Sequence, residues 1–337
     1  VIFLGGIFFL LSLAALYTAA EIVWPLVFAF TLSLLLNPLL RFLDRLHVPR
    51  VLAALLLVLA VLALVVGLGT AISGPAASWV AKLPDALPRL FQHLRFLEAP
   101  FATLQHFWER IQDFAGWQSN ANSSAGIALL TKLFTGTGSF ASGFFTTLLF
   151  LFFLLVAGEI FLQRLVEIMP RFSSKRQVVD IAKQIESDIS VYLMTITAMN
   201  AAVGIATAAV MWLTGVGDPV LWGTTAFLLN FVPILGPLLG VLIFLLAGAL
   251  AADTVWLMFL PAGLYFGIHV IEGETFTPML LARRFTLNPV MMIVSLVFWF
   301  WMWGVPGAIL SVPMLAMTKI VCDRVRPLAA FGHFLEG

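Results

Sequence analysis

Two carboxylates and two hydroxyls crowd into one short run, His269-Val270-Ile271-Glu272-Gly273-Glu274-Thr275-Phe276-Thr277-Pro278. A carboxylate at the end of an apolar stretch can take up a proton or a sodium ion, or it can pair with a cation. Arg283 and Arg284 follow closely, so Glu272 and Glu274 are coupling-ion candidates with ion pairing as the equal alternative. A second group of candidates is neutral. Asn230 stands just ahead of Pro233, Gly236 and Pro237 in the run FLLNFVPILGPLLG, and Asn200 interrupts another apolar stretch. Thr275, Thr277 and Asn288 flank a last apolar region that is broken in turn by Gly304 and Pro306. Proline deletes a backbone hydrogen bond, and the carbonyls so freed, with nearby amides and hydroxyls, offer neutral hydrogen bonds to a small polar solute. The expected binding set is therefore Asn200, Asn230, Pro233, Gly236, Pro237, Thr275, Thr277, Asn288, Gly304 and Pro306.

Enzyme chemistry has no foothold here. The chain has no glycine-rich phosphate loop, no His-Glu-x-x-His metal pair and no nucleophile elbow. Its five histidines are scattered, and only His269 belongs to an apolar run. The single cysteine, Cys322, excludes an intrachain disulfide and any multi-cysteine metal site. No catalytic residue, metal or cofactor is expected.

The elements that must position these groups are membrane helices. The chain is 61% hydrophobic and 10% charged, with a mean hydropathy of +1.05, whereas soluble domains carry about 25% charged residues. A net charge of +1 gives no field for nucleic acid. About 20 apolar residues cross a bilayer as a helix, and runs of that kind lie at 2–20, 22–40, 51–73, 140–163, 191–214 and 254–271. The predicted fold is all-α and polytopic, with about six ordinary spans. Two further apolar regions, 219–252 and 288–321, are each broken near the middle.

Basic residues flank the spans at Arg41, Arg45 and Arg50, at Arg164 to Arg176, at Arg283 and Arg284, and at Lys319 to Arg326. Placing all four clusters in the cytoplasm, as the positive-inside rule directs, puts both termini there and residues 74–139 outside. That count closes only if 219–252 and 288–321 each return to the side they left, which makes them re-entrant hairpins. Both open alike, as Asp218-Pro219-Val220-Leu221 and Asn288-Pro289-Val290-Met291. In each a cap residue precedes proline at the first helical position. Each then continues for about 14–16 residues, too short to span upright. Paired, interrupted segments entering from opposite sides mark the binding site of a secondary transporter.

Two stretches carry amphipathic stripes. Leu87, Leu90, Leu94 and Leu97, then Phe101, Leu104, Trp108 and Ile111, recur at helical spacing within 74–139. Val178, Ile181, Ile185, Ile189 and Tyr192 form the second, in a cytoplasmic helix over 164–190 that is expected to continue into the 191–214 span. The domain organisation expected is thus N-terminal spans (1–73), an extracytoplasmic segment (74–139), a span (140–163), the cytoplasmic helix (164–190), a C-terminal transport unit (191–323) and a tail (324–337).

Several of these runs together resemble one family. Leu213-Thr214-Gly215-Val216-Gly217-Asp218-Pro219, Leu229-Asn230-Phe231-Val232-Pro233-Ile234-Leu235-Gly236-Pro237 and the Glu272 run above are similar to the signature of the autoinducer-2 exporter (AI-2E) family. So are Arg283 to Pro289, Gly304-Val305-Pro306-Gly307-Ala308-Ile309-Leu310-Ser311-Val312-Pro313, and Trp24-Pro25 with Leu36-Asn37-Pro38-Leu39. The likeness covers nearly the whole chain outside 74–139. One departure is Ile234, where the family often carries tyrosine. The resemblance implies a permease of the bacterial inner membrane, assembled as a homo-oligomer, pentamers included. Some members export autoinducer-2, a small hydroxyl-rich molecule, and others resemble sodium/proton antiporters.

Three functions follow as expectations. The first is export of a small polar metabolite by alternating access, through movement of the C-terminal hairpin unit within the lipid bilayer. The second is sodium- or lithium-for-proton antiport on Glu272 or Glu274. The third is a non-transporting scaffold that recruits partners through its amphipathic helices.

Overall fold

A computed structural model describes residues 2–93, 137–168, 172–232, 234–252, 254–276 and 287–336. Among these are 11 α-helices and no strands. In chain order they are α1 (Ile2–Thr18), α2 (Ala20–Arg45), α3 (Arg50–His93), α4 (Thr137–Ile168), α5 (Phe172–Leu213) and α6 (Pro219–Leu229). There follow α7 (Leu235–Ala251), α8 (Val255–Ile271), α9 (Pro289–Trp303), α10 (Val305–Arg324) and a short α11 (Ala329–Phe334).

Five segments are long and apolar enough to cross a membrane: Ala20–Arg45, Arg50–Lys82, Val179–Leu213, Val255–Thr275 and Val305–Arg324. Their surfaces carry many exposed Leu, Phe, Val and Ile side chains, as lipid-facing helices must. Four expectations need adjustment. The expected spans at 2–20 and 140–163 fall on the shorter apolar helices Phe3–Thr18 and Ser142–Gly158. Helix α3 does not stop near residue 73 but continues to His93, so Leu87 and Leu90 belong to the same helix as the third span. The remainder of that stripe, from Leu94 to Ile111, lies outside the described residues. Helix α6 is only 11 residues long, shorter than expected, because a proline at 233 has no N–H to continue the helical ladder onto the Leu229 carbonyl. And α10, expected as half of a hairpin, is itself 20 residues and of spanning length.

Helix α5, 42 residues without interruption, is the spine of the molecule. Its first half buries Ile189, Tyr192 and Leu193 against Leu34 of α2 and Val312, Ala316 and Ile320 of α10. Ile185, Ile189 and Tyr192 of the second amphipathic stripe thus find their apolar partner in the protein. Its second half packs against α6 through small residues. A Cβ placed on Gly204 would lie 2.8 Å from the Gly223 carbonyl oxygen, and one on Gly223 would lie 2.8 Å from Ala208 Cβ. Close backbone approach of this kind holds helices together where lipid removes the hydrophobic drive. Accordingly, Gly223→Leu is expected to separate α5 from α6 and lower the thermal unfolding midpoint in detergent by several degrees, at a cost of about 3 kcal/mol.

On the other side of the break, α7 packs along α8. Trp222 of α6 touches Phe244 of α7, with ring centroids 5.5 Å apart, although the break lies between them. The chain therefore reverses at the break, and α6 and α7 run side by side. Helices α9 and α10 likewise face each other, with Ser295 Oγ donating to the Ser311 carbonyl at 2.8 Å. Their connection at Gly304, φ 64°, demands a residue without a Cβ.

Candidate functional site

The break after α6 is a hydrogen-bonded reversal. Asn230, Phe231 and Val232 donate their backbone N–H groups to Ala226, Leu228 and Leu229, and Gly236 donates to Val232 at 2.8 Å. Gly236 sits so close to the end of α6 that a Cβ would overlap the Leu229 carbonyl. Ile234, the N-cap of α7, has φ 64°, a left-handed conformation that costs a β-branched residue about 1–3 kcal/mol. Its side chain is exposed. Pro237 follows in the first turn of α7. Pro233 lies outside the described residues.

At this reversal the two amides meet. Asn230 Nδ2 donates to Asn200 Oδ1 at 2.9 Å, joining α6 to the middle of α5. Asn200 is 3% exposed, and its own Nδ2 has no partner. Three other buried polar atoms share that condition among the described residues: Trp222 Nε1, Tyr265 Oη and His269 Nε2. All four belong to α5, α6 and α8, the helices around the first break. A buried polar atom left unpaired costs about 1–3 kcal/mol, so four in one unit ask for a ligand or for water.

Three of these groups sit on one aromatic file. Trp79 of α3 meets Trp222 at 4.9 Å, Trp222 meets Phe244 at 5.5 Å, Phe244 meets Tyr265 at 4.4 Å, and Tyr265 meets His269 at 4.5 Å between ring centroids. At the end of the file opposite His269, Trp79 Nε1 donates to Asp218 Oδ2 at 2.8 Å, and Lys82 lies 5.3 Å from the Trp79 ring. The file thus runs from the loop before α6 along the α7–α8 pair, and it carries polar tips through an otherwise apolar wall.

The remaining candidates fall elsewhere. Glu272 and Glu274 form, with Thr275, a π-helical turn (Glu272–Phe276) that prolongs α8 and touches α5. Glu272 is half-buried, while Glu274 and Thr275 are exposed. Thr277 and both arginines of the expected pair lie outside the described residues. Asn288 caps α9, its Oδ1 accepting from Val290 N–H at 2.9 Å, and its own N–H donates to Leu335 of the tail. Gly304 and Pro306 sit at the α9–α10 tip, where Trp303 Nε1 donates to the Leu16 carbonyl at 3.4 Å and the indole packs near Ala20 and Val23. The structure therefore brings Asn200 and Asn230 together and gives the second tip a different neighbour, the α1–α2 junction.

Tyr265 and Trp222 were not among the expected residues. Tyrosine occurs only three times in the chain, and Tyr265 stands one helical turn before His269 in an apolar span, a spacing that stacks both on one face. Trp222 and Trp79 offered no such sign, since single tryptophans are ordinary in membrane helices.

A protein-family model described as AI-2E family transporter matches residues 7–326. Among curated proteins, the chain is similar to the AI-2 transport protein TqsA of Escherichia coli, 28% identical over 96% of this chain and 91% of the relative. It is also similar to YhhT of the same organism, provisionally described as a transport protein, at 27% identity over 93% and 88%. A transport protein of Borreliella burgdorferi, also provisionally described, matches at 24% over 97% and 88%.

Proposed function

The chain belongs to the AI-2E family of membrane transporters, and from that premise we propose that it exports a small, neutral, polar solute through a site at the tip of the α6–α7 pair. The observation that carries this reading is Asn200, buried in the middle of α5 with its Nδ2 unpartnered beside Asn230. The unpaired groups define the chemistry. Asn Nδ2 and Trp Nε1 can only donate, and Tyr265 and His269 can do either. None of these four groups is a fixed charge, so the fitting solute is uncharged and rich in acceptor oxygens. TqsA is named for AI-2 transport, and a solute of that kind, or a similarly hydroxylated signal, answers the description.

The mechanical reading is alternating access. Helix α6 rises about 16 Å, half of a hydrocarbon core of about 30 Å, so its tip lies near the bilayer midplane when the pair enters as a re-entrant hairpin. Backbone groups freed at such a tip are tolerable where they face protein or a watery cavity. The loop Gly215 to Asp218, with three positive φ angles, is the hinge on which the pair would rock, and Trp79–Asp218 is the contact that closes it. Residence in the bacterial inner membrane with both termini in the cytoplasm completes the proposal.

Asn230→Ala and Asn200→Ala are each expected to lower efflux from loaded cells or vesicles about tenfold, the loss of one good hydrogen bond to the bound solute. Size-exclusion profiles of the variants should match the parent. Undiminished efflux in both variants removes the proposal.

One observation favours a second reading, cation/proton antiport. The π turn at Glu272 touches α5, and single π turns inside helices recur at functional sites. Sodium or lithium pulses should then dissipate an imposed pH gradient in proteoliposomes, and Glu272→Gln should abolish the response. A flat trace in the parent protein discards this reading.

A further inference from the structure

A cleft of about 310 Å³ opens between the second half of α2 and the first half of α5, away from the site described above. Its polar wall carries Arg41 and Arg45, one helical turn apart on α2, and Ser187 of α5. Its apolar wall carries Pro38, Phe42 and Val191. Glu186 accepts from Arg41 at 2.8 Å and from Asn37 Nδ2 at 3.0 Å, which neutralises one guanidinium. Arg45 has no partner among the described residues, so among them the cleft carries one unmatched positive charge.

The position of this charge decides what answers it. Arg45 is the last residue of the Ala20–Arg45 candidate span, where a membrane helix leaves hydrocarbon for water. Phe42 beside it is 61% exposed, and Leu39 and Leu46 are also exposed, so apolar surface continues from the cleft along α2. A free anion would meet the arginine and waste that apolar wall. A lipid satisfies both: a phosphate oxygen pairs with guanidinium in a directed, charge-assisted hydrogen bond, and acyl chain lies on Phe42, Pro38 and Val191.

We propose that the α2–α5 cleft binds an anionic glycerophospholipid, with its phosphate on Arg45, the outer edge of Arg41 and Ser187, and an acyl chain along Phe42 and Val191. The lipid would bridge the two helices on the face where Asn37 and Arg41 already reach Glu186. This proposal stands independently of the solute site, since none of its residues belongs to that site.

The test uses the full chain purified in detergent and titrated with phosphatidylglycerol, with phosphatidylcholine, and with inorganic phosphate. Lipid retention is read by native mass spectrometry and stabilisation by the thermal midpoint. Phosphatidylglycerol should be retained and should raise the midpoint, phosphatidylcholine should do so weakly, and inorganic phosphate should not. Arg45→Gln should weaken phosphatidylglycerol binding about fivefold, the contribution of one basic side chain at an anionic lipid surface, with the lipid-free midpoint unchanged. Arg45→Lys should recover most of the loss. Equal phosphatidylglycerol binding by the parent and Arg45→Gln overturns the site. Equal binding of the two lipids overturns its charge selectivity, and a matching shift from inorganic phosphate overturns the lipid in favour of a free anion.

Discussion

Gly236→Ala is expected to abolish efflux and to lower the unfolding midpoint sharply. The Cβ it introduces overlaps the Leu229 carbonyl, a backbone atom that cannot rotate away. To make room, the reversal must open, and the hydrogen bond from Gly236 N–H to the Val232 carbonyl opens with it. Overpacking of this kind costs about 3 kcal/mol. It also displaces Asn230, which sits within the same turn and reaches Asn200 from there. The consequence can be separated from general destabilisation. Gly263→Ala, on α8 with open space around its Cβ position, should leave both the midpoint and efflux within error of the parent. Thermal unfolding in detergent and efflux from vesicles check both variants. A Gly236→Ala protein that transports normally would show that the reversal is not the site.

The second large effect concerns Lys319, which is 5% exposed and is the one buried charged side chain among the described residues. It lies in α10, within a segment of spanning length, and its Nζ donates to Asp323 Oδ2 at 2.7 Å. Asp323 in turn is overlaid by the tail, where a Cβ on Gly332 would overlap its Oδ1. Removing one member of a buried ion pair leaves the other charged and desolvated. Replacing the charge by an apolar side chain of similar volume removes that burden. Asp323→Ala is therefore expected to destabilise the protein by about 4 kcal/mol, whereas Lys319→Met should be near neutral. Because Asp323 keeps contact with solvent (its side chain is 39% exposed), it tolerates loss of its partner better than Lys319 does. Midpoints of the two variants measured side by side decide the matter. Equal destabilisation by both would mean that the pair acts through packing alone.

Both effects rest on contacts of a kind that a one-dimensional pattern carries unevenly. The break at 230–237 was legible, because proline and glycine act on their own backbone and on the residue next door. Of the two expected caps, Asn288 holds, its Oδ1 accepting from Val290 N–H, whereas Asp218, at φ 46°, makes no cap hydrogen bond and accepts from Trp79 Nε1 instead. Four of the six apolar runs, at 22–40, 51–73, 191–214 and 254–271, were legible too, since crossing a bilayer requires only length and hydropathy. The length of α3 was not. Pro75, Pro84 and Pro88 lie within it, and the charged residues after Gly74 resemble the end of a span. Hydropathy marks where a helix stops being apolar, not where it stops being a helix.

The separation of the two tips was beyond the sequence as well. Their openings are alike, which suggested one shared site, yet Asn230 meets α5 while Trp303 meets Leu16 at the α1–α2 junction. Which neighbour a tip meets depends on how each helix is rotated and tilted against the others, and the opening residues carry no record of that.

The sequence alone determined that this is a helical membrane protein, broken twice in its C-terminal half, with neutral amides near the first break. Those are consequences of local chemistry and of composition. Only the tertiary structure decided that Asn200 would face Asn230 across 30 positions, that Trp79 would reach Asp218 across 139, and that Lys319 would be sealed from water. Each depends on the angular position of a side chain around its helix and on the helix packed against it. Burial and pairing are properties of two surfaces at once, and a single run of residues specifies only one of them.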